Sequence, residues 1–217
     1  MKPERILLIG AGGHAQVIAD ALMAMQTTGA EIEIVGFLDD DPALQGQMLM
    51  GLPILGPLAV WRQIAHDALI VAIGHNATRA RLHRAFRAAG ARFFTARHPQ
   101  AVIAPGVSLG EGTVVMAGVV VNTGSIIGEG VILNTGCTVD HHNRIGAFAH
   151  IAPGAHLAGE VSVGEGALIG VGAAVIPQQR IGSWAVVGAG GVVVREVPPE
   201  TTVVGIPARP FAAREET

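Results

Sequence analysis

From Ile103 to Val193 an aliphatic residue returns at every sixth position, through Ile103, Leu109, Val115, Val121, Ile127, Leu133, Val139, Ile145, Ile151, Leu157, Val163, Ile169, Val175, Ile181, Val187 and Val193. A helix repeats near 3.6 residues and a strand near 2, so a period of six predicts one short straight segment per repeat, turned at a fixed angle. A slower beat of eighteen residues lies on top: Leu109-Gly110, Ile127-Gly128, Ile145-Gly146, Val163-Gly164 and Ile181-Gly182. Three sides of six residues then make one coil, and roughly five coils fit in the span. The residue two before each aliphatic is usually small, as at Cys137, Ala149, Ala155, Ala167, Ala173 and Ala185, which predicts a second inward position in a narrow triangular prism. Such a chain is a solenoid in which each coil pairs with the coils above and below and the stacked aliphatics form one core.

Before the repeat the pattern changes. Ile6-Leu7-Leu8-Ile9 reads as a buried strand, and Gly10-Ala11-Gly12-Gly13-His14-Ala15 turns it into the helical pattern Val17, Ile18, Ala21, Leu22. The turn matches G-x-G-x-x-A, in which glycines let a ligand approach the backbone and the helix N-terminus offers unpaired N–H groups. Ile32 to Leu38 predicts a second strand, closed by Asp39-Asp40-Asp41-Pro42, and Ala68 to Ile73 a third, closed by Gly74-His75-Asn76. In an open parallel sheet such strand ends form the ligand crevice. An NAD-binding acid lies about 20 residues beyond the glycines, and Asp39 lies farther, which counts against NAD. Ala80 to Ala89 predicts a covering helix with Leu82, Ala85, Phe86 and Ala89 inward and a solvated arginine face, including Arg81 and, just before it, Arg79. The boundary between an α/β unit, 1–97, and the solenoid with its tail, 98–217, falls near His98-Pro99. Pro198 and Pro199 end the repeat, and 212–217 reads as a frayed end.

Thirty glycines and only 4% aromatics suit a coil that bends every six residues. A net charge of −3 with fourteen scattered Lys and Arg predicts no nucleic-acid face. The lone Cys137 excludes an internal disulfide and fits a reducing compartment. The apolar run after Arg5 is too short for a signal segment or a membrane span, so the sequence predicts a cytoplasmic protein without membrane contact.

The densest imidazole cluster is Asp140-His141-His142-Asn143 with His150 and His156. As a metal site it fits poorly. One coil is eighteen residues, so His141 stacks on Thr123 and Gly159, His142 on Gly124 and Glu160, and His150 on Ile132 and Leu168. Neighbours on a strand also point to opposite sides, which separates His141 from His142. No metal is expected within one subunit, although a site shared between subunits stays open. As a general base, one imidazole suffices. Taken alone, His141 reads equally as a turn residue; Asp140, Asn143, Asn134 and His156 read as solvent-facing turn residues.

The aliphatic-glycine hexapeptides resemble the left-handed parallel β-helix of the hexapeptide acyltransferases, and Val204-Gly205-Ile206-Pro207-Ala208-Arg209 resembles the tail that follows it there. The glycine turn, Gly36-Phe37-Leu38-Asp39-Asp40, Ala72-Ile73-Gly74 and Asp140-His141 followed nine residues later by His150 resemble the nucleotide-sugar acetyltransferases, which include the sialic-acid O-acetyltransferase type and the bacillosamine-pathway N-acetyltransferases. The resemblance covers nearly the whole chain. It implies a small Rossmann-like domain followed by a left-handed β-helix, assembled as a homotrimer with active sites between subunits. It implies acetyl transfer from acetyl-CoA to the 4-amino group of a nucleotide-linked 4-amino-4,6-dideoxy sugar, GDP-perosamine foremost.

By the same resemblance His141 is the base, with Asp140 and His142 supporting. Gly12, Gly13, His14, Asp39, Asp40 and Gly74 match the nucleotide-sugar pocket. His150, Gly159, Gly170, Val171, Gly188 and Ala189 match the coenzyme groove. These relatives often carry an acid directly after the base, where this chain has His142; Asp140, another coil, or nothing then takes that place. Three alternatives remain: O-acetylation of a sialic acid or other sugar, a trimeric zinc lyase of carbonic-anhydrase type, and a non-catalytic nucleotide-sugar sensor.

Overall fold

The structure, a computed structural model, describes residues 2–211; the expected frayed end at 212–217 lies outside them. The chain opens with β1 (Glu4–Ile9), α1 (Gly13–Thr27) and β2 (Ile32–Leu38), followed by a small hairpin of β3 (Met48–Leu49) and β4 (Leu52–Pro53). After a short 3-10 helix come β5 (Ala68–Val71) and α2 (Asn76–Ala88). The three parallel strands run in the order β2-β1-β5, so β1 is central and Ile6 to Ile9 are all buried. Its alternation sorts the two faces. Ile6 and Leu8 pack with Ile18, Ala19 and Leu22 of α1 in one apolar cluster, while Leu7 and Ile9 pack with Phe86 of α2 and Phe93 in another. Each such aliphatic side chain contributes roughly 1.5–3 kcal/mol relative to exposure.

Residues 96–204 form a parallel β-solenoid whose sides are mostly two-residue strands. Each strand pairs with the strand eighteen residues on: Val120-Val121 with Thr138-Val139, and Thr138-Val139 with His156-Leu157. The strands gather into three walls. The first runs from Val102-Ile103 through Thr138 and His156 to Val192-Val193; the second from Ser108-Leu109 through Arg144 to Arg180-Ile181. The third begins at Ala96-Arg97, passes through His150 and Leu168, and ends in an antiparallel pair of Thr202–Val204 with Arg209-Pro210. The expected inward positions are filled as the repeat predicts: Val115, Val121, Leu133, Val139, Ile151, Ile169 and Val187 are buried, as are Cys137, Ala149, Ala155, Ala167, Ala173 and Ala185. Burial pushes the Cys137 thiol up to about 12, so it stays protonated at neutral pH. Ala96, Ala101 and Val114 to Met116 belong to the same apolar cluster as Ile6 and Ile18, so the core runs without a break from the sheet into the solenoid.

The third residue of many turns has φ near +60°, where an ordinary side chain costs roughly 1–2 kcal/mol. Glycine usually stands there, but His142, Phe148, Glu160, Gln178 and Trp184 do not have that excuse. Phe148 is fully buried, under α2, where it meets His83 edge-on at 5.2 Å between centroids.

α2 lies along the corner between the second and third walls. Arg84 reaches Glu165 at 2.6 Å, and Arg87 reaches Glu111 at 3.0 Å and Glu129 at 2.8 Å. Asn76 Nδ2 donates to the Gly166 carbonyl at 2.9 Å. Arg81 is exposed, as expected. Arg79 is not: it is 2% exposed. Its Nε donates to Gly130 O at 2.8 Å and its Nη2 to Phe148 O at 2.6 Å, on the solenoid. On the α/β unit its Nη1 donates to Ile73 O and Gly74 O, both at 3.1 Å, and its Nη2 to Asn76 Oδ1 at 2.9 Å. Helical spacing marks Arg79 as solvent-facing; its position opposite the solenoid corner makes it a buried tie between the two units. Burial lowers its pKa to about 9, so the guanidinium stays charged at neutral pH.

Candidate active site

The expected site residues fall into three groups. The first surrounds the N-terminus of α1. Gly10 is needed by the fold itself: its φ is +103° and a Cβ there would lie 2.6 Å from Ile73 Cδ1. Gly12 and Gly13 have nothing within 4 Å of where a Cβ would stand, so their backbone is open at a helix end that no side chain caps. Such an end attracts anionic groups. Asp39 braces this turn from below, accepting from Ala11 N at 2.8 Å through one carboxylate oxygen and from Asp41 N at 2.9 Å through the other. Asp40 accepts from Leu58 N at 2.9 Å.

His14, in the first turn of α1, lies 6.3 Å from His150 between ring centroids, and its buried Nε2 has no partner. His150 stands on the third wall between Ile132 and Leu168. Its Nε2 receives Asn134 Nδ2 at 3.0 Å. Asn134 is thus the partner of His150 rather than a free turn residue. Burial, then the charge of Arg79, lowers His14 to about 4; burial, Arg79 and His14 lower His150 to about 3. Both are neutral rings at pH 7. Gly74, His75, Asn76, His150, Leu168 and Trp184 line a cleft of about 250 Å³ where the units meet.

The second cluster is the turn Asp140–Asn143, which leaves the first wall and enters the second. Asp140 Oδ1 accepts from His141 N and from Asn122 Nδ2, each at 2.8 Å, and these bonds hold its carboxyl below the usual range, the Asn122 bond foremost. Asp140 therefore braces the backbone of His141, with no hydrogen bond to the ring. Asn143 is fully buried, contrary to its reading as a solvent-facing residue. Its Nδ2 donates to Asp140 O at 2.6 Å and Ala158 O at 3.0 Å, while Ser125 Oγ accepts from its N–H at 3.1 Å. It locks the turn from inside because an amide can bond backbone on two adjacent coils.

The stacking read from the repeat is correct, but its consequence for the two rings is not. His141 and His142 sit in a turn, and the left-handed backbone of His142 (φ +57°) brings its ring back beside His141. Their Nδ1 atoms are 3.1 Å apart and the rings are nearly perpendicular. Each lies on a glycine of a neighbouring coil. A Cβ at Gly159 would be 2.4 Å from His141 Cε1, and one at Gly124 would be 2.6 Å from His142 Cδ2. Gly159 is thus a floor for the His141 ring. Asp140 also borders a cleft of about 570 Å³ along the first wall with Val120, His156, Ala174 and Pro177. His156 is exposed and bonded to Thr138 Oγ1 at 2.9 Å.

Gly170, Val171, Gly188 and Ala189 stack at the corner between the third and first walls. Gly170 is required by coil packing, since a Cβ would lie 2.5 Å from Val187 O; Gly188 backs onto Val204. Val171 is 56% exposed beside them. Among the described residues no hydrogen bond or ring contact joins the His14–His150 cluster to the His141–His142 turn, and no group of three or more His, Cys, Asp or Glu is placed to hold a metal ion. No helix among them is long and apolar enough to cross a membrane. Sequence reading missed Arg79 as a tie, and Phe148 and Trp184; an aromatic where the repeat calls for glycine was the available signal.

Residues 5–86 match the family described as the PglD N-terminal domain. The UDP-N-acetylbacillosamine N-acetyltransferase of Bacillus subtilis (strain 168) is 37% identical over 118 residues, and the match spans 52% of this chain and 52% of that protein, about half its length. The acetyltransferase domain of PglB from Neisseria gonorrhoeae FA1090 is 39% identical with a TM-score of 0.88, over 96% of this chain and 100% of that one. PerB from Caulobacter crescentus, solved with CoA and GDP-perosamine, is 43% identical with a TM-score of 0.88, over 95% of this chain and 97% of that one. A small α/β unit leading into a left-handed β-helix with imidazoles on its turns defines an acyltransferase of the hexapeptide-repeat class. Within it, the chain belongs to the family of nucleotide-sugar acetyltransferases represented by PglB and PerB.

Proposed function

We propose that the protein transfers the acetyl group of acetyl-CoA to the 4-amino group of a nucleotide-linked 4-amino-4,6-dideoxy sugar, GDP-perosamine being the preferred acceptor, with His141 as general base. The observation that carries this reading is the His141 ring itself: exposed, laid on Gly159 and held at Nδ1, with its backbone pinned by Asp140. A general base needs such fixed presentation, because proton transfer requires hydrogen-bond reach to the amine. Support for this acceptor comes from PerB, whose structure was solved with CoA and GDP-perosamine, and from two further structures of that enzyme with one histidine replaced, by asparagine or by alanine.

In this reading the amine nitrogen attacks the thioester carbonyl carbon while its proton passes to His141 Nε2. The tetrahedral intermediate, its oxyanion met by backbone N–H groups, collapses to the amide, and the departing thiolate takes from the imidazolium the proton that came from the amine. Residues 1–97, with Gly12, Gly13, His14, Asp39, Asp40 and Gly74, form the nucleotide-sugar unit. Asp39 also holds the glycine turn. Residues 98–217 supply the coenzyme groove along Gly170, Val171, Gly188 and Ala189, with His150 at its sugar end. Because His141 and His150 stand apart in one chain, the site is completed by a neighbouring copy in a homotrimer, which sets the His141 turn of one subunit against the His150 corner of the next. The reaction belongs in the cytoplasm, where acetyl-CoA is available.

The test is thiol release from acetyl-CoA with GDP-, UDP- and dTDP-linked 4-amino-4,6-dideoxy sugars and with hydroxyl acceptors, on the wild type and His141→Ala. Turnover of an amine that the substitution slows by ~10² or more supports the reading. Turnover of a sialic acid or other hydroxyl alone would transfer the reading to O-acetylation, and undiminished turnover in His141→Ala would remove His141 from the base role.

A further inference from the structure

A carboxylate commonly serves as the partner that fixes the tautomer of a catalytic imidazole, yet neither nearby acid reaches the His141 ring here. Asp140, on the same turn, spends Oδ1 on His141 N and Asn122 Nδ2. Glu160, on the next coil, is bonded through Oε2 to Gln178 at 2.9 Å. The coil above offers only Thr123, Gly124 and Ser125. The atom that does face His141 Nδ1 is His142 Nδ1, 3.1 Å away.

Two imidazole nitrogens at that distance share one proton: one ring donates and the other accepts. If His142 donated, His141 would carry its proton on Nε2 and could accept none there. If His141 donates, its Nε2 keeps a lone pair. The setting holds the pair together. His142 occupies a left-handed backbone position that disfavours its side chain, and its ring closes on Gly124, where any side chain would collide. Solvation of an exposed turn requires neither.

We propose that His142 is a positioning residue for His141: its Nδ1 accepts the Nδ1–H of His141 and so keeps the Nε2 lone pair available to the amine. This rests on the reading of His141 as the base. When His141 takes the amine proton at Nε2, its Nδ1–H bond to His142 strengthens and the positive charge spreads over two rings, with no net neutralisation. A neutral partner stabilises the imidazolium less than a carboxylate does.

The tautomer is measured first, by nitrogen NMR of the histidine-labelled full-length protein. With both rings neutral, His141 is expected to show a protonated Nδ1, a bare Nε2 and a coupling through the Nδ1–H bond to His142 Nδ1. A proton on His141 Nε2 instead would overturn the proposal. The kinetic arm compares His142→Leu, His142→Asn and His142→Glu over a pH series. Leu, without an acceptor, is expected to lower kcat by ~10–10² with KM for both substrates changed less than about threefold. Asn, which offers an acceptor oxygen and tolerates the left-handed turn, restores most of that loss. Glu restores kcat and moves the acid limb of kcat/KM upward by about one pH unit, through the added negative charge. Wild-type kcat and an unmoved acid limb in both Leu and Glu variants would refute the role. A wild type that acetylates no acceptor would count against the functional reading, and the NMR tautomer would still decide the pairing.

Discussion

Replacing Arg79 by Met, which keeps the length of the side chain and excludes water, should loosen the α/β unit from the solenoid. The guanidinium joins carbonyls of Ile73 and Gly74 on one side to those of Gly130 and Phe148 on the other. No other hydrogen bond to Gly130 O or Phe148 O is present among the described residues. An acceptor left buried without a donor costs ~1–3 kcal/mol, and losing two such acceptors together with the Asn76 link places the total at ~3–5 kcal/mol, partly offset by the desolvation of the charge in the native protein. With a denaturant slope of ~1–3 kcal/mol per molar urea, the midpoint should fall by at least ~1 M. Trp61 packs on Phe86 at 5.4 Å inside the α/β unit, whereas Trp184 stands on a solenoid turn at the cleft where the units meet. Urea unfolding of Trp61→Phe and Trp184→Phe backgrounds, at one protein concentration, should show coincident transitions with Arg79 present. In Arg79→Met the Trp61 transition should come first. Arg79→Lys, with three donors on a point charge in place of a planar fork, should recover only part of the loss. Coincident transitions with a midpoint shift worth less than about 0.5 kcal/mol in Arg79→Met would refute the view of Arg79 as the tie.

His83, His14 and His150 are buried as neutral rings; burial is the first cause in each, reinforced by the charges of Arg87, Arg79 and Arg84 around His83. Their folded values, about 4, 4 and 3, lie below the ordinary 6.5, so the stability that depends on them is complete above pH 6.5 and is lost as pH falls towards 4. For His83, stacked on Phe93 at 3.6 Å with neither ring nitrogen bonded, the loss should reach ~3 kcal/mol at the bottom of that window. Urea midpoints at pH 7.5, 6 and 5 should fall steeply in the wild type and less in His83→Leu, and parallel curves would show that His83 carries none of it. At Gly159, alanine would drive a methyl into the His141 ring. Acetyl transfer should then drop at least ~10-fold while the urea midpoint stays within about 1 kcal/mol of wild type, and full activity would mean that the floor under His141 is not needed.

Much of this could be read from residue spacing. The period of six reports the solenoid because each short side must bury one aliphatic in a common interior, and the beat of eighteen sets which residues stack; both are local consequences of chain geometry. The strand, glycine turn and helix at residues 6–22 were legible for the same reason, as was the neighbourhood of His141. Other features depend on what the α/β unit meets when it folds against the prism. Arg79 lies on the polar side of its helix by pattern, and only the solenoid corner opposite turns that side into a buried face. The approach of His14 to His150 joins positions far apart in sequence on different units. The contact of His141 with His142 hinges on one left-handed turn residue that strand alternation cannot foresee, because alternation holds only while the backbone stays extended. Periodicity thus determined the scaffold and the stacking order, while tertiary packing decided which polar side chains became ties, partners or exposed chemistry, since burial and hydrogen bonding depend on the surface each residue meets.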